Sequence, residues 1–103
     1  MDTGILIVAR LFIHPGREVE FRQFEMEAAR IMARHGGRIE RVIRPLSAIP
    51  ASPLSHEIHL VSFPSQEHFE AYRADAELAG LAALRQRAIA RTELVIGCEG
   101  EAY

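Results

Sequence analysis

Two stretches, Ile5–His14 (ILIVARLFIH) and His56–Phe63 (HEIHLVSF), carry apolar side chains at both odd and even positions. Side chains of a strand alternate faces, so a strand apolar on both faces needs cover on both. Pro15 and Pro64 end the two stretches, since proline has no N–H for a ladder. A run of helical period follows each one. In the first, Arg17–Arg34, an apolar side is made by Val19, Phe21, Phe24, Ala28, Ile31 and Met32, with Glu18, Arg22, Glu25, Glu27 and Arg30 mostly solvated. His35-Gly36-Gly37 closes it, glycine supplying the left-handed turn that a helix end often takes. In the second, Ser65 is placed to cap the helix start, and Phe69, Tyr72 and Ala76 follow. Asp75 is placed to cap a further segment carrying Leu78, Leu81, Leu84 and Ala88, with Arg85, Gln86 and Arg87 on the outer side. Gly80 within this run costs helix stability and predicts close backbone packing there.

Two more strands are predicted at Arg38–Leu46 and Thr92–Cys98. Between the second and third strands lies Leu46–Ser55, a long proline-punctuated loop read as an arm or lid. The order is therefore β-α-β-β-α-β. Right-handed crossovers put both helices on one face of a four-stranded antiparallel sheet, an α+β ferredoxin-like sandwich forming a single domain over residues 1–103. If charges keep away from the helices, the other face holds Leu6, Val8, Phe12, Val42, Val61, Phe63 and Val95. Such a patch is abnormal in water. A second copy stacking its sheet on the first is the expected cover, so the chain is expected to be a homodimer.

A net charge of −2 and a pI near 6.2 supply no global field for nucleic acid or an anionic membrane, and neither partner is expected. The single cysteine, Cys98, cannot form an internal disulfide and fits a reducing compartment. Residues 1–4 have no basic leader character, and Ile5–Ala9 is too short for a signal or a span. A cytoplasmic setting is expected.

The same parity argument gathers Arg10, His14, Glu40, Arg44, Glu57, His59 and Glu93 on the face away from the helices. Strands one and three are neighbours in this topology, so Arg10 is expected near Glu57 or His59. In that arrangement His59 moves a proton and Arg10 holds an oxyanion on an acidic or enolisable small molecule. Arg10, His14, Glu40, Arg44, Glu57, His59 and Tyr72 are the ligand-binding candidates, Tyr72 as a rim group with a wet hydroxyl. The competing reading is a salt-bridge network that sets the register of two stacked sheets. His56 and Glu57 point to opposite faces, and neither HExxH nor a cysteine pair is present, so no metal site is expected. His59 or His14 could serve as an axial haem ligand, but nothing selects either, and no cofactor is expected.

The segments RLFIHPGREVEFRQFE (10–25), ARHGGRIERVIRP (33–45) and VSFPSQEHFEAYRADAEL (61–78) resemble the dimeric α/β-barrel superfamily and, more narrowly, its domain of unknown function 1330 family. The resemblance implies two ferredoxin-like units paired sheet to sheet, with a cavity beside each sheet or within the barrel. The superfamily includes cofactor-independent monooxygenases, muconolactone isomerase-like enzymes, haem-dependent members and ligand modules of transcription factors. It therefore carries over architecture and not chemistry. An Asp-Pro-Glu-Tyr step common in the narrower family stands here as Asp75-Ala76-Glu77-Leu78, so no role of that tyrosine transfers. Three functions stay open. The first is a binder of a small apolar or acidic molecule. The second is a monooxygenase- or isomerase-like enzyme using Arg10 and His59. The third is a structural dimer with its interior filled by Phe12 and Phe63.

Overall fold

The two strands that are apolar on both faces take the two inner positions of the sheet. β1 (Ile5–Ile13) pairs with β3 (Glu57–Phe63) on one edge and β4 (Ile89–Gly97) on the other, and β2 (Arg38–Ile43) adds to the far side of β3. The order is β2-β3-β1-β4 with every pair antiparallel. α1 (Glu18–Arg34) and the series α2 (Gln66–Arg73), α3 (Ala76–Ala79) and α4 (Ala82–Ala88) cover one face, giving the expected ferredoxin-like fold. These statements come from a computed structural model that describes residues 4–103. The reading of residues 1–3 as lacking leader character falls outside them.

Local chemistry sets the helix ends. The Ser65 hydroxyl accepts from the His68 N–H at 3.2 Å, and the Asp75 carboxylate accepts from the Glu77 N–H at 2.8 Å, so Asp75 starts a new helix where α2 stops. After α1, Gly36 takes φ +76°, and a Cβ on Gly37 would lie 2.5 Å or less from the side chains of Met32 and Phe63. Gly80 departs from expectation. It caps α3, and the atoms nearest a Cβ there are carbonyls of its own turn rather than a packed neighbour. Val19 likewise proves exposed. β4 begins at Ile89, three residues before the expected Thr92, because a bulge after Phe12 sets Ile13 opposite Ile89. The His14 N–H also donates to the Ala88 carbonyl at 2.9 Å, which holds the end of α4 against the end of β1.

The faces of β3 differ from expectation. The registers Ile7↔Val61, Ala9↔His59 and Leu11↔Glu57 put all six residues on one face, and all six are buried beneath the helices. Arg10↔Ile58 and Val8↔Leu60 pair on the other face. Val61 and Phe63 therefore do not belong to the outer patch; Ile58 and Leu60 take their places. Val42 also crosses to the helix side, opposite His59, after a register shift between Ile39 and Arg41. Parity alone could not choose, because both sets of β3 contain apolar residues. Packing chooses: Phe63 and Val61 fill a cluster with Ile7, Met32 and Phe69. Each such burial contributes roughly 1.5–3 kcal/mol. That outweighs drawing Glu57 and His59 inward, since those two hydrogen-bond each other. A second cluster joins Leu11, Phe21, Phe24, Ala28, Ala88 and Ile89.

Candidate functional site

Members of both clusters line a cavity of about 480 Å³ between the helix-covered face of the sheet and the helices. Its size is in the range of small-molecule pockets. Ile7, Ala9 and Leu11 of β1 form an apolar floor beside His59. Polar groups reach it from Glu25 on α1, Tyr72 and Arg73 on α2, Arg85 on α4 and Thr92 on β4. This contradicts the expectation, tied to a purely structural dimer, of an interior filled by Phe12 and Phe63. Phe63 is one wall, and Phe12 belongs to the opposite face of the sheet. No residue of the Leu46–Ser55 loop lines the cavity, so α2–α4 form its cover.

His59 is 4% exposed. Its Nε2 lies 2.8 Å from Glu57 Oε1, and Arg44 Nε donates to Glu57 Oε2 at 3.1 Å. A carboxylate only accepts, so Nε2 carries a proton toward Glu57, and in the neutral ring Nδ1 is the nitrogen left with its lone pair. Nδ1 is 3.8 Å from Glu25 Oε2, too long for a hydrogen bond and close enough for charge to be felt. The two glutamates are pushed in opposite directions. Burial raises the Glu57 carboxyl, but the hydrogen bonds from His59 and Arg44 outweigh it and hold the group below its ordinary range. Burial raises Glu25, Glu57 adds to the rise, and the charges of His59 and Arg85 only partly oppose it. Burial, helped by Glu25, pushes Tyr72 up to about 12, so its hydroxyl stays a donor. The imidazole thus stands between two carboxyls shifted in opposite directions, Glu57 lowered and Glu25 raised.

The predicted site residues are only partly brought together. Arg44, Glu57 and His59 form one chain of contacts, and Tyr72 stands on the cavity wall. Arg10 does not join them. It opposes Ile58 rather than Glu57 or His59, its guanidinium bonds Glu93 at 2.7 Å, and it lies over the Phe12 ring on the outer face. The expected oxyanion role of Arg10 beside His59 is therefore corrected: the sheet stands between them. Glu40 bonds Arg38 and Ser62 at the outer edge, and His14 is exposed past the end of β1. Glu25, Arg85 and Thr92 were missed. The helical period held a signal for two of them, because Glu25 follows Phe21 by four and Arg85 follows Leu81 by four, each on the flank of an apolar stripe.

A second cluster of charge lies outside the cavity. Arg34 bonds Asp75 at 3.0 Å and Glu77 at 2.7 Å, Arg30 bonds Glu27 and Glu77, and His35 Nε2 lies 2.8 Å from Asp75. It ties α1 to the junction of α2 and α3. The His35 and Arg34 hydrogen bonds hold the Asp75 carboxyl well below the usual carboxylate range despite some desolvation. Among the described residues, no group of three or more His, Cys, Asp or Glu is arranged to hold a metal ion, and no helix is long and apolar enough to cross a membrane.

No family profile matches the chain, and no curated protein matches it. Solved structures share its fold. A protein of unknown function from Rhodopseudomonas palustris is 13% identical with a TM-score of 0.82, over 99% of this chain and 86% of that one. SnoaB, a cofactor-independent oxygenase from Streptomyces nogalater, is 15% identical with a TM-score of 0.72, over 97% of this chain and 96% of that one. A dabb family protein with a ferredoxin-like fold from Mesorhizobium loti is 14% identical with a TM-score of 0.69, over 95% of this chain and 98% of that one. At these identities the likeness is one of architecture. The chain has the ferredoxin-like fold that these three proteins share.

Proposed function

We propose that the chain binds a small, largely apolar molecule in the cavity and that His59 takes a proton from it. The observation that carries this reading is the 2.8 Å contact from His59 Nε2 to Glu57, which leaves Nδ1 as the nitrogen without a hydrogen bond in a histidine that lines a cavity of about 480 Å³. The proton of an acidic C–H or O–H passes to Nδ1, its electron pair stays on the ligand as an enolate or phenolate, and Glu57 stabilises the imidazolium. Returning the proton to the same or another atom gives exchange or isomerisation with no further reactant. Arg44 helps His59 hold Glu57 below its ordinary range, and the burial of Glu57 and His59 strengthens the contact between those two. A positioned base of this kind contributes about 10²–10⁴-fold in rate.

The test uses 2-tetralone, an apolar enolisable ketone, in D₂O, with loss of its α-protons followed by NMR. The wild-type chain is expected to speed exchange, and His59→Gln to lose most of that gain while keeping the fold. Equal rates with His59→Gln would remove the histidine's role.

The wider reading includes a second copy as partner. The outer face presents Leu6, Val8, Phe12, Ile58, Leu60 and Val95, with Val8 39% and Val95 70% exposed. Light scattering is expected to give twice the chain mass of 11.5 kDa. The narrower placement in the domain of unknown function 1330 family rests on residues 10–25, 33–45 and 61–78. A single domain over 1–103 and a cytoplasmic setting, for which the lone Cys98 speaks, complete the proposal.

A further inference from the structure

The polar groups of the cavity stand at two ends of an apolar floor. Across the sheet, Ala9 opposes both His59 on β3 and Leu94 on β4, and Leu11 opposes both Glu57 and Thr92. Two strand spacings and one two-residue step separate His59 from Thr92, a span of about 10–12 Å between their backbones. Ile7, Ala9 and Leu11 lie between them, and the small Ala9 leaves height above the sheet.

At the β4 end, Arg85 Nη2 donates to Thr92 Oγ1 at 2.9 Å. Arg85 lines the cavity, and its charge is felt by Glu25 and Tyr72, yet among the described residues it makes no ion pair. The other arginine of the cavity is engaged: Arg73 lies 3.8 Å from Glu70 and over the Phe69 ring. A guanidinium fixed at one nitrogen by a neutral hydroxyl still has N–H groups that match the two oxygens of a carboxylate.

We infer that Arg85 and Thr92 form an anion anchor, and that the ligands are elongated apolar carboxylic acids about two fused rings long. This rests on the proton-transfer reading of His59. The acid group sits at Arg85, and the acidic C–H or O–H at the far end meets His59. Glu25, whose burial favours its neutral form, adds less repulsion toward that anion than an ionised carboxylate would.

The experiment compares 6-hydroxy-2-naphthoate with 6-hydroxy-2-naphthamide, two probes of one shape that differ in charge, by calorimetric titration of the full chain. A charge-assisted bidentate contact is expected to make the acid at least about tenfold tighter than the amide. Arg85→Gln is expected to bring the acid down to the amide's affinity, and Arg85→Lys to restore part of the preference. 4-Hydroxybenzoate, one ring shorter, is expected to bind more weakly and to leave the His59 ring resonances unmoved. If the amide binds and the acid is no tighter, or Arg85→Gln keeps the preference, the anchor is overturned while the pocket stands. If the shorter acid binds equally well and moves His59, the span is wrong. If neither naphthalene probe binds, the pocket reading falls and takes the anchor with it.

Discussion

Two charge networks in this chain use nearly the same residue types to opposite ends. The outer one, Arg30, Arg34, His35, Asp75 and Glu77, joins helix to helix in solvent, and each carboxylate has more than one cationic partner. The inner one runs from the exposed Arg44 through the buried Glu57 and His59 to Glu25, and its last link is left at 3.8 Å. Histidine and carboxylate lie 2.8 Å apart in both. What separates them is what the histidine faces next. His35 sits edge-on to the Tyr72 ring, whereas His59 faces a cavity and a carboxyl that favours its proton. In the outer network each carboxylate is shared between cations; in the inner one the last contact of His59, toward Glu25, is left at 3.8 Å.

The contrast is broken most sharply by exchanging one residue in each network. His59→Gln is expected to lower 2-tetralone exchange by about 100-fold or more. Asp75→Asn is expected to leave the rate within about twofold and to lower Tm by a few degrees, because it keeps a cap on α3 but removes the charge paired with Arg34 and His35. A rate loss in the second variant would mean that the outer network reaches the cavity. Next in size is Glu57→Gln. It keeps the shape but not the charge that fixes the imidazole and its tautomer, and a rate loss of at least about tenfold is expected. An unchanged rate would make Glu57 a packing residue.

The pH dependence of stability sharpens the comparison further. Glu57 and Asp75 titrate lower in the folded chain than unfolded. Their contributions are present above the ordinary carboxylate value and are lost as pH falls through the folded value. Glu25 has the opposite sign: its folded value is raised, so stability declines as pH climbs from the ordinary value through the raised one. Urea unfolding across pH is expected to show that decline, and Glu25→Gln is expected to flatten it without touching the acid limb. The smallest effect is expected from Arg30→Gln, a change in Tm of about a degree that fades with added salt, because its pairs are solvated.

Much of this architecture was legible in the residues. Ser65 and Asp75 announced two helix starts, Gly36 a left-handed turn, and the topology the pairing of the first and third strands. The site was legible in its members and not in its geometry. His59 and Glu57 stood out, but strand parity is blind when both faces are apolar. The side they face was decided by how Phe63 packs with Met32 and Phe69, contacts set by tertiary structure. Arg10 does lie on the outer face as expected; Glu57 and His59 were set beside it by the same choice. Glu25 and Arg85 were hidden because a charged residue on the flank of a helix stripe reads as solvated until the opposing element leaves a gap.

The central claim is that His59 holds its proton on Nε2 and offers Nδ1 to the cavity. Long-range ¹H–¹⁵N correlation of the histidine rings tests it on the chain as it stands. The account expects the neutral His59 ring to show a protonated Nε2 and a bare Nδ1, with Glu57→Gln disturbing that pattern. A proton on Nδ1, with Nε2 bare toward Glu57, would contradict it.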